Sequence, residues 1–234
     1  VASQVNTAVY NFVANFQTAF KPQIVKSYAT QEREYFMDLI IYTSKYSYFL
    51  LFIICMPLYV CCEEVLSVWL TNVPFYAVSF CKLMLIVSLL EAIQGPLWMS
   101  GQATGKIRNY QLLIGGMILC NLPIGYVFLK LGFPPNIVLI IKIVITVLIL
   151  IIRVIYINRL FSFPTVRFIR EVLVKISIVT LLSSILVIFL PIQIDTISSI
   201  LAVVCILFVI NCLLILAVGV SNKERLLIIN QIKK

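Results

Sequence analysis

The clearest chemical pattern in this sequence is a set of five polar side chains near its start. Gln4, Thr7, Asn11, Asn15 and Thr18 recur every three or four positions, so on a helix they fall within an arc of about 80°. The rest of this stretch is mostly Val, Ala, Phe and Tyr. Carboxamide and hydroxyl groups are costly to bury among apolar groups unless they meet a partner or water. The stripe therefore either lines a hydrated cavity or hydrogen-bonds helices together, and we favour the cavity.

Charged residues inside apolar segments form the second pattern. Each costs roughly 2.5–3.5 kcal/mol at the centre of a bilayer, so each needs a partner or a function. Lys142 shares a helical face with Thr146 and Arg153, within an arc of about 40°, on a segment otherwise rich in Ile, Leu and Val. This face therefore either has a function or is paired for structural reasons alone.

Glu91 and Lys45 each allow more than one interpretation. Glu91 shares a helical face with Gln94 and Trp98, and it can hold a coupling proton or Na⁺, pair with Lys45, or serve the structure alone. Lys45 follows Asp38 by seven residues on one face. It is either a cavity cation or half of a pair that reaches the lipid headgroups.

The composition excludes several kinds of catalytic site. The chain has no His, the usual metal ligand and general base. Its seven Cys form no C-x-x-C pair and lie in or beside apolar segments, where they act as small apolar side chains. The sequence 101–106 (GQATGK) is one residue too short for a phosphate loop, and no Ser or Thr follows its Lys. No carboxylate pair is placed for acid–base catalysis. We therefore predict no enzymatic activity, no cofactor and no metal.

The elements that must position these residues are membrane helices. Of the 234 residues 62% are hydrophobic and 12% charged, and the mean hydropathy is +1.09, whereas a soluble domain is about half apolar and a quarter charged. We predict an all-α, polytopic membrane helix bundle. Seven apolar runs are long enough to span a bilayer: 1–20, 39–62, 76–98, 110–130, 136–157, 172–190 and 197–220. Pro57 and the sequence 121–123 (NLP) predict kinks.

Basic residues concentrate on alternate loops, and this distribution predicts the orientation. Loops 21–35, 99–109 and 153–171 and the tail, here called the basic end, carry 13 of the 18 Lys and Arg. These residues are Lys21, Lys26, Arg33, Lys106, Arg108, Arg153, Arg159, Arg167, Arg170, Lys223, Arg225, Lys233 and Lys234. The positive-inside rule places the basic end and the C-terminus in the cytoplasm. The net charge of +9 thus reflects topology, and we predict no nucleic-acid binding.

Several stretches together resemble bacterial polysaccharide (O-antigen type) flippases of the multidrug/oligosaccharidyl-lipid/polysaccharide exporter superfamily. The helix end and loop at 16–29 (FQTAFKPQIVKSYA), and VLSVWL at 65–70 followed by Val73 and Pro74, are similar to the family's loops. ATGKIRNYQ at 103–111, NLPI at 121–124 and KER at 223–225 are also similar. The similarity covers about 1–130 and the tail.

The resemblance implies the C-terminal part of a fourteen-helix transporter with two lobes. The implied organisation is a lobe of five membrane helices (1–157, lacking its first), a cytoplasmic interfacial segment (158–171), two trailing helices (172–220) and a cytoplasmic basic tail (221–234). The first run begins without an initiator Met, so we expect a fragment of a longer protein.

The resemblance also implies a function. The intact protein would move an undecaprenyl-diphosphate-linked oligosaccharide across the bacterial cytoplasmic membrane by alternating access. The polar stripe would hydrogen-bond sugar hydroxyls. The diphosphate would be bound by Lys142, Arg153 and Lys45. The site for a coupling proton or Na⁺ would be Glu91 with Gln94. Other membrane proteins of polysaccharide assembly are expected partners, besides the lipid bilayer itself.

Three other functions remain open from the sequence. A cation-coupled multidrug exporter of the same superfamily would favour acids and aromatics over Lys and Arg in its cavity. A polytopic glycan polymerase would need a large outer loop with charged residues, whereas the outer loops here are short. A purely structural membrane subunit would leave Lys142 and Glu91 without cavity water.

Overall fold

The computed structural model describes residues 2–105, 107–189, 196–221 and 224. The secondary-structure elements of these residues are all helices, which confirms the predicted all-α bundle. In chain order they are α1 (Ala2–Ala29), α2 (Arg33–Val60), α3 (Cys62–Trp69), α4 (Ala77–Ala103), α5 (Arg108–Leu119), α6 (Asn121–Lys130), α7 (Ile137–Phe161), α8 (Thr165–Phe168), a first π-helix (Ile169–Val174), α9 (Lys175–Phe189), α10 (Ile197–Leu214) and a second π-helix (Ile215–Gly219).

Within the described residues, six helical stretches are long and apolar enough to cross a membrane, against seven predicted. These are Arg33–Val60, Ala77–Ala103, Arg108–Lys130, Ile137–Phe161, Thr165–Phe189 and Ser198–Gly219. The predicted run that is missing from these six is the first, 1–20, which lies in α1; this helix has 28 residues but carries the polar stripe. The polar side chains of this stripe lower the mean hydropathy of α1, although the helix is long enough to cross a membrane.

Helix α2 lies at the centre of the bundle. It contacts α1 and α4 on one side and α10 and the first π-helix on the other, and 72% of its most apolar window is buried. Helix α4 in turn contacts α1, α2 and α7, and α7 carries α5 and α6 on its outer side. Of the most apolar 18 residues within Arg108–Lys130, correspondingly only 11% are buried. Its apolar face is therefore left for lipid.

The fourth predicted segment is interrupted, as the sequence 121–123 indicated. Helix α5 ends at Leu119 and α6 begins at Asn121. Pro123 has no N–H to bond the carbonyl four residues earlier, so the regular hydrogen-bond ladder is broken here. The break brings Asn121 to the wall of the cavity described below.

The region 158–171, which the sequence predicts as a cytoplasmic interfacial segment, contains the end of one helix and the start of the next. Helix α7 continues to Phe161, and after a break at 162–164 the next helix begins at Thr165 and runs into the trailing span. Ser162 ends α7 in a left-handed conformation, φ 55°. Phe163, within the turn, and Phe168, in the helix that follows, are both buried, so their burial fixes this region to the bundle. Of the basic tail at 221–234, all but Ser221 and Glu224 lie outside the described residues.

Candidate functional site

One cavity gathers most of the charged residues predicted from the sequence. It lies between α1, α4, the α5–α6 break and α7, and has a volume of about 360 Å³. Its wall consists of Tyr10, Glu91, Gln94, Gly95, Trp98, Ile118, Asn121, Lys142, Ile145, Thr146, Ile149 and Arg153. Helix α7 supplies Lys142, Thr146 and Arg153 from the single face that their spacing predicted. Five predicted site residues, from two helices, therefore line one space.

Lys142 and Glu91 form a loose ion pair across this cavity. The Lys142 Nζ lies 3.6 Å from the Glu91 Oε1, and both side chains are about one-third exposed. Nitrogen and oxygen at this distance attract each other but exceed the usual length of a charge-assisted hydrogen bond. Both groups therefore keep capacity to bind a further charged group that enters the cavity.

Arg153 is held by an aromatic hydroxyl and not by a carboxylate. Its Nη1 donates to the Tyr110 hydroxyl oxygen at 2.7 Å, and its guanidinium carbon lies 5.5 Å from the centroid of the same ring. The Arg153 Nε is buried and has no hydrogen-bond partner among the described residues. A buried, unpaired donor on a permanently charged group is costly. The Arg153 Nε therefore retains a hydrogen-bond donor that no group in the described structure uses.

Gln94 and Thr146 both line the cavity and connect its two walls. The Gln94 Nε2 donates to the carbonyl oxygen of Thr146 at 3.0 Å, and the Thr146 hydroxyl donates to the carbonyl oxygen of Lys142 at 2.7 Å. Both side chains are buried. The Gln94 bond joins α4 to α7 and so helps to set the spacing between Glu91 and Lys142.

The polar stripe of α1 lies outside this cavity. Gln4, Thr7, Asn11, Asn15 and Thr18 are all exposed, and none is part of the cavity wall. The buried side chains of α1, among them Val9, Val13 and Gln17, lie roughly on the opposite side of the helix.

The exposed stripe is only partly satisfied by its own helix. The hydroxyls of Thr7 and Thr18 donate to the carbonyls of Ser3 and Ala14 at 2.9 and 2.8 Å. The carboxamides of Asn11 and Asn15 have no hydrogen-bond partner in the part of the chain described. The stripe is thus available to water or to a ligand and does not join helices within this bundle.

Lys45 lies elsewhere and is not a neighbour of Lys142. Its side chain is completely buried, and its Nζ lies 2.5 Å from the Glu224 Oε1. The two partners suggested by the sequence are engaged elsewhere: Glu91 pairs with Lys142, and Asp38 pairs with Arg167 at 2.7 Å. The prediction failed because the true partner comes from the far end of the chain.

Three residues of the site were missed as site residues by sequence reasoning. Tyr10 lies about 60° from the edge of the stripe on α1, so a wider arc would have included it. Asn121 was noted for the helix break and not for a ligand, yet its Oδ1 is buried without a hydrogen-bond partner in the described structure. Tyr110 lies on another helix 43 residues from Arg153, and no spacing rule relates them.

The arrangement suits binding of an anion with attached polar groups. Two cations face a single carboxylate, so the wall carries a surplus of positive charge. Amide and hydroxyl groups from Gln94, Asn121 and Tyr10 provide further hydrogen-bonding capacity. Within the residues described, no group of three or more His, Cys, Asp or Glu is placed to hold a metal ion.

Comparisons with family models, with curated proteins and with solved structures found no match.

Proposed function

We propose that this chain is part of a flippase that moves a diphosphate-linked oligosaccharide lipid across the bacterial cytoplasmic membrane. The observation that carries the proposal is the surplus of positive charge in a cavity between apolar helices, with Arg153 and Lys142 on one face of α7. A charge between membrane helices is costly, so it needs a partner or a ligand. A diphosphate is the compact anion that ammonium and guanidinium groups bind best.

The three parts of such a substrate match three kinds of surface. The diphosphate is bound by Lys142 and by the free Nε of Arg153. Sugar hydroxyls exchange hydrogen bonds with Asn121 and with the exposed carboxamides of Asn11 and Asn15. The lipid tail stays in the bilayer, beside the apolar outer face of α5 and α6.

Glu91 is the candidate site for the coupling cation. It is the only carboxylate of the cavity wall, and it competes with an incoming anion for Lys142. An anion that displaces Glu91 leaves the carboxylate to a proton or Na⁺. Alternating access then exposes the loaded cavity to one side of the membrane at a time, with the basic end and the C-terminus in the cytoplasm.

The cavity favours this function over a cation-coupled drug exporter. An exporter of organic cations needs a surplus of negative charge around its cargo, because like charges repel. Here the two cations outnumber the one acid.

Complementation of a flippase-deficient strain tests the proposal. The gene that encodes this chain is introduced as wild type, Lys142→Gln, Arg153→Gln and Lys130→Gln. Lys130, at the end of α6, lies outside the cavity wall and provides the matched control. We expect surface glycan to be restored by wild type and Lys130→Gln, and to be strongly reduced by both cavity variants. Full restoration by both cavity variants at equal protein levels would contradict the proposal.

A further inference from the structure

A second cavity lies at the basic end of the bundle, away from the first. It has a volume of about 810 Å³ and opens between the end of α7, the start of the helix Thr165–Phe189 and Ser221. Three basic side chains, Arg167, Arg170 and Lys175, line it. None of these residues takes part in the function proposed above, so the cavity requires its own explanation.

The first π-helix, Ile169–Val174, brings two of these cations together. In an α-helix, residues five apart lie about 140° apart around the axis, so Arg170 and Lys175 would diverge. The i→i+5 hydrogen bonds of a π-helix bring residues five apart to nearly the same side. Both side chains accordingly line the same cavity. Such π-turns are rare and frequently occur at functional sites.

A second π-helix ends near the same cavity. Ile215–Gly219 packs against α9, and Ser221, two residues after its end, is part of the cavity wall.

The three cations differ in how they are neutralised. Arg167 contacts Asp38 at 2.7 Å and Glu171 at 3.1 Å, so its charge is compensated. Arg170 and Lys175 have no carboxylate within 4.0 Å in the described part of the chain. Their two charges are therefore available to an external anion, and Arg167 is fixed in place beside them.

We propose that this cavity binds the phosphate group of an anionic phospholipid. The cations lie in the first turns of a membrane-spanning helix, which is the depth of the lipid headgroups. Val166, which is 81% exposed, and Pro164 line the same opening and offer an apolar contact to acyl chains. Basic cavities between membrane helices bind anionic headgroups in this way. The site is independent of the flippase proposal, since it shares no residue with the first cavity.

Lipid binding to the purified protein tests this proposal. The protein is placed in nanodiscs of phosphatidylcholine alone or of phosphatidylcholine with phosphatidylglycerol. After extraction, the number of bound phosphatidylglycerol molecules is measured by native mass spectrometry. The variant Arg170→Gln/Lys175→Gln removes the two free charges. The control Lys21→Gln/Lys26→Gln removes two exposed charges from the same end of the bundle. Arg170→Lys/Lys175→Arg keeps the charge and shows whether the region folds with altered side chains.

The outcomes separate the specific site from general attraction. We expect phosphatidylglycerol affinity to fall about tenfold or more in Arg170→Gln/Lys175→Gln, since each substitution removes a charge-assisted hydrogen bond to the phosphate. The control and the charge-conserving variant should retain the bound lipid. Equal losses in the control would show diffuse attraction and overturn the proposal. If inorganic phosphate displaces the lipid from the wild type as effectively as added phosphatidylglycerol, the site is one for free anions and the lipid assignment is wrong.

Discussion

The Gln17 carboxamide completes a hydrogen bond that α4 cannot make for itself. Its Nε2 donates to the carbonyl oxygen of Ala92 at 2.8 Å. In a regular α-helix this carbonyl would accept from the N–H of residue 96, but residue 96 is Pro and has no N–H. Gln17 is 2% exposed, and it lies so close to Gly95 that a Cβ there would fall 2.0 Å from its Oε1. A proline in one helix is thus matched by a glutamine in another.

This relationship predicts that substitutions at Gln17 and Pro96 are coupled. Gln17→Leu should lower the free energy of unfolding by about 1–3 kcal/mol, because the Ala92 carbonyl is then buried without a donor. In a Pro96→Ala background the new N–H supplies that donor, so the same substitution should cost much less. Denaturant unfolding of the four proteins in a common detergent measures the coupling.

Gln23→Leu is the matched control, since Gln23 is an exposed glutamine on the same helix. It should change the unfolding free energy little. Equal costs of Gln17→Leu with and without Pro96 would refute the matched pair and leave Gln17 as ordinary packing.

The sequence allowed the faces of α1 to be assigned, but not the partner of each face. The periodicity of Gln4, Asn11 and Asn15 correctly predicted one polar side, because helical spacing is a local property. Gln17 falls outside that arc, and its role depends on a proline 79 positions later. Such long-range complementarity follows from packing between helices, and a local pattern contains no information about it.

The buried pair of Lys45 and Glu224 predicts a second coupled pair of substitutions. The two residues are 179 positions apart in the sequence. The Lys45 Nζ also lies 5.4 Å from the ring centroid of Tyr42 and 5.2 Å from that of Tyr46. Lys45→Met alone should cost about 3–5 kcal/mol, because it leaves a carboxylate buried without its partner. Lys45→Met/Glu224→Leu should recover most of this loss. Thermal unfolding of the single and double variants checks the order, and a double variant weaker than both singles would refute it.

The same pair predicts a dependence of stability on pH. Burial by itself raises the pKa of the Glu224 carboxyl, but hydrogen bonds from Lys45 and Ser221 outweigh it and hold that pKa below its ordinary value of 4.5. A carboxyl with a lowered pKa stabilises the folded state above its ordinary value, and this contribution is lost as pH falls through the lowered pKa. The stability difference between wild type and Glu224→Gln should therefore be constant near neutral pH and shrink in acid. A difference that grows on acidification would contradict the ion pair.

The Tyr110 hydroxyl is predicted to position Arg153 for its ligand. Tyr110→Phe keeps the aromatic ring beside the Arg153 guanidinium but removes the hydroxyl that accepts its hydrogen bond. The guanidinium then loses the contact that fixes its orientation. We expect the affinity for a lipid diphosphate to fall about tenfold, as loss of about 1.4 kcal/mol implies. Arg153→Lys should show a similar loss, because an ammonium does not reproduce the planar fork.

Tyr126→Phe provides the control for this experiment, since Tyr126 is an exposed tyrosine on α6. Binding of a lipid diphosphate to each variant, measured beside its thermal stability, separates positioning from folding. If Tyr110→Phe lowers stability and leaves the affinity unchanged, the hydroxyl serves the structure alone.

The candidate site was predictable where it follows one helix and unpredictable where it joins several. Lys142, Thr146 and Arg153 were grouped correctly because they lie on one face of α7. Lys45 was grouped wrongly with them, since charge and depth in the membrane do not reveal which helix a side chain faces. Tyr110 bonds Arg153, 43 residues away, and Glu224 bonds Lys45, 179 residues away. Contacts over such sequence distances follow from the fold and not from a local pattern.

Cysteine labelling tests whether the stripe on α1 faces water. In a chain whose seven native Cys are replaced, single cysteines are placed at Asn15, Val13 and Val144, and their rates of reaction with a charged maleimide are compared. Only a hydrated thiol ionises to the reactive thiolate. Val13 is fully buried and Val144, on α7, is 54% exposed on an apolar face. We expect Asn15→Cys to react rapidly and the other two slowly. If Asn15→Cys is as slow as Val144→Cys, the stripe faces lipid, the sugar-binding role of α1 is wrong, and the transport proposal loses one of its two supports.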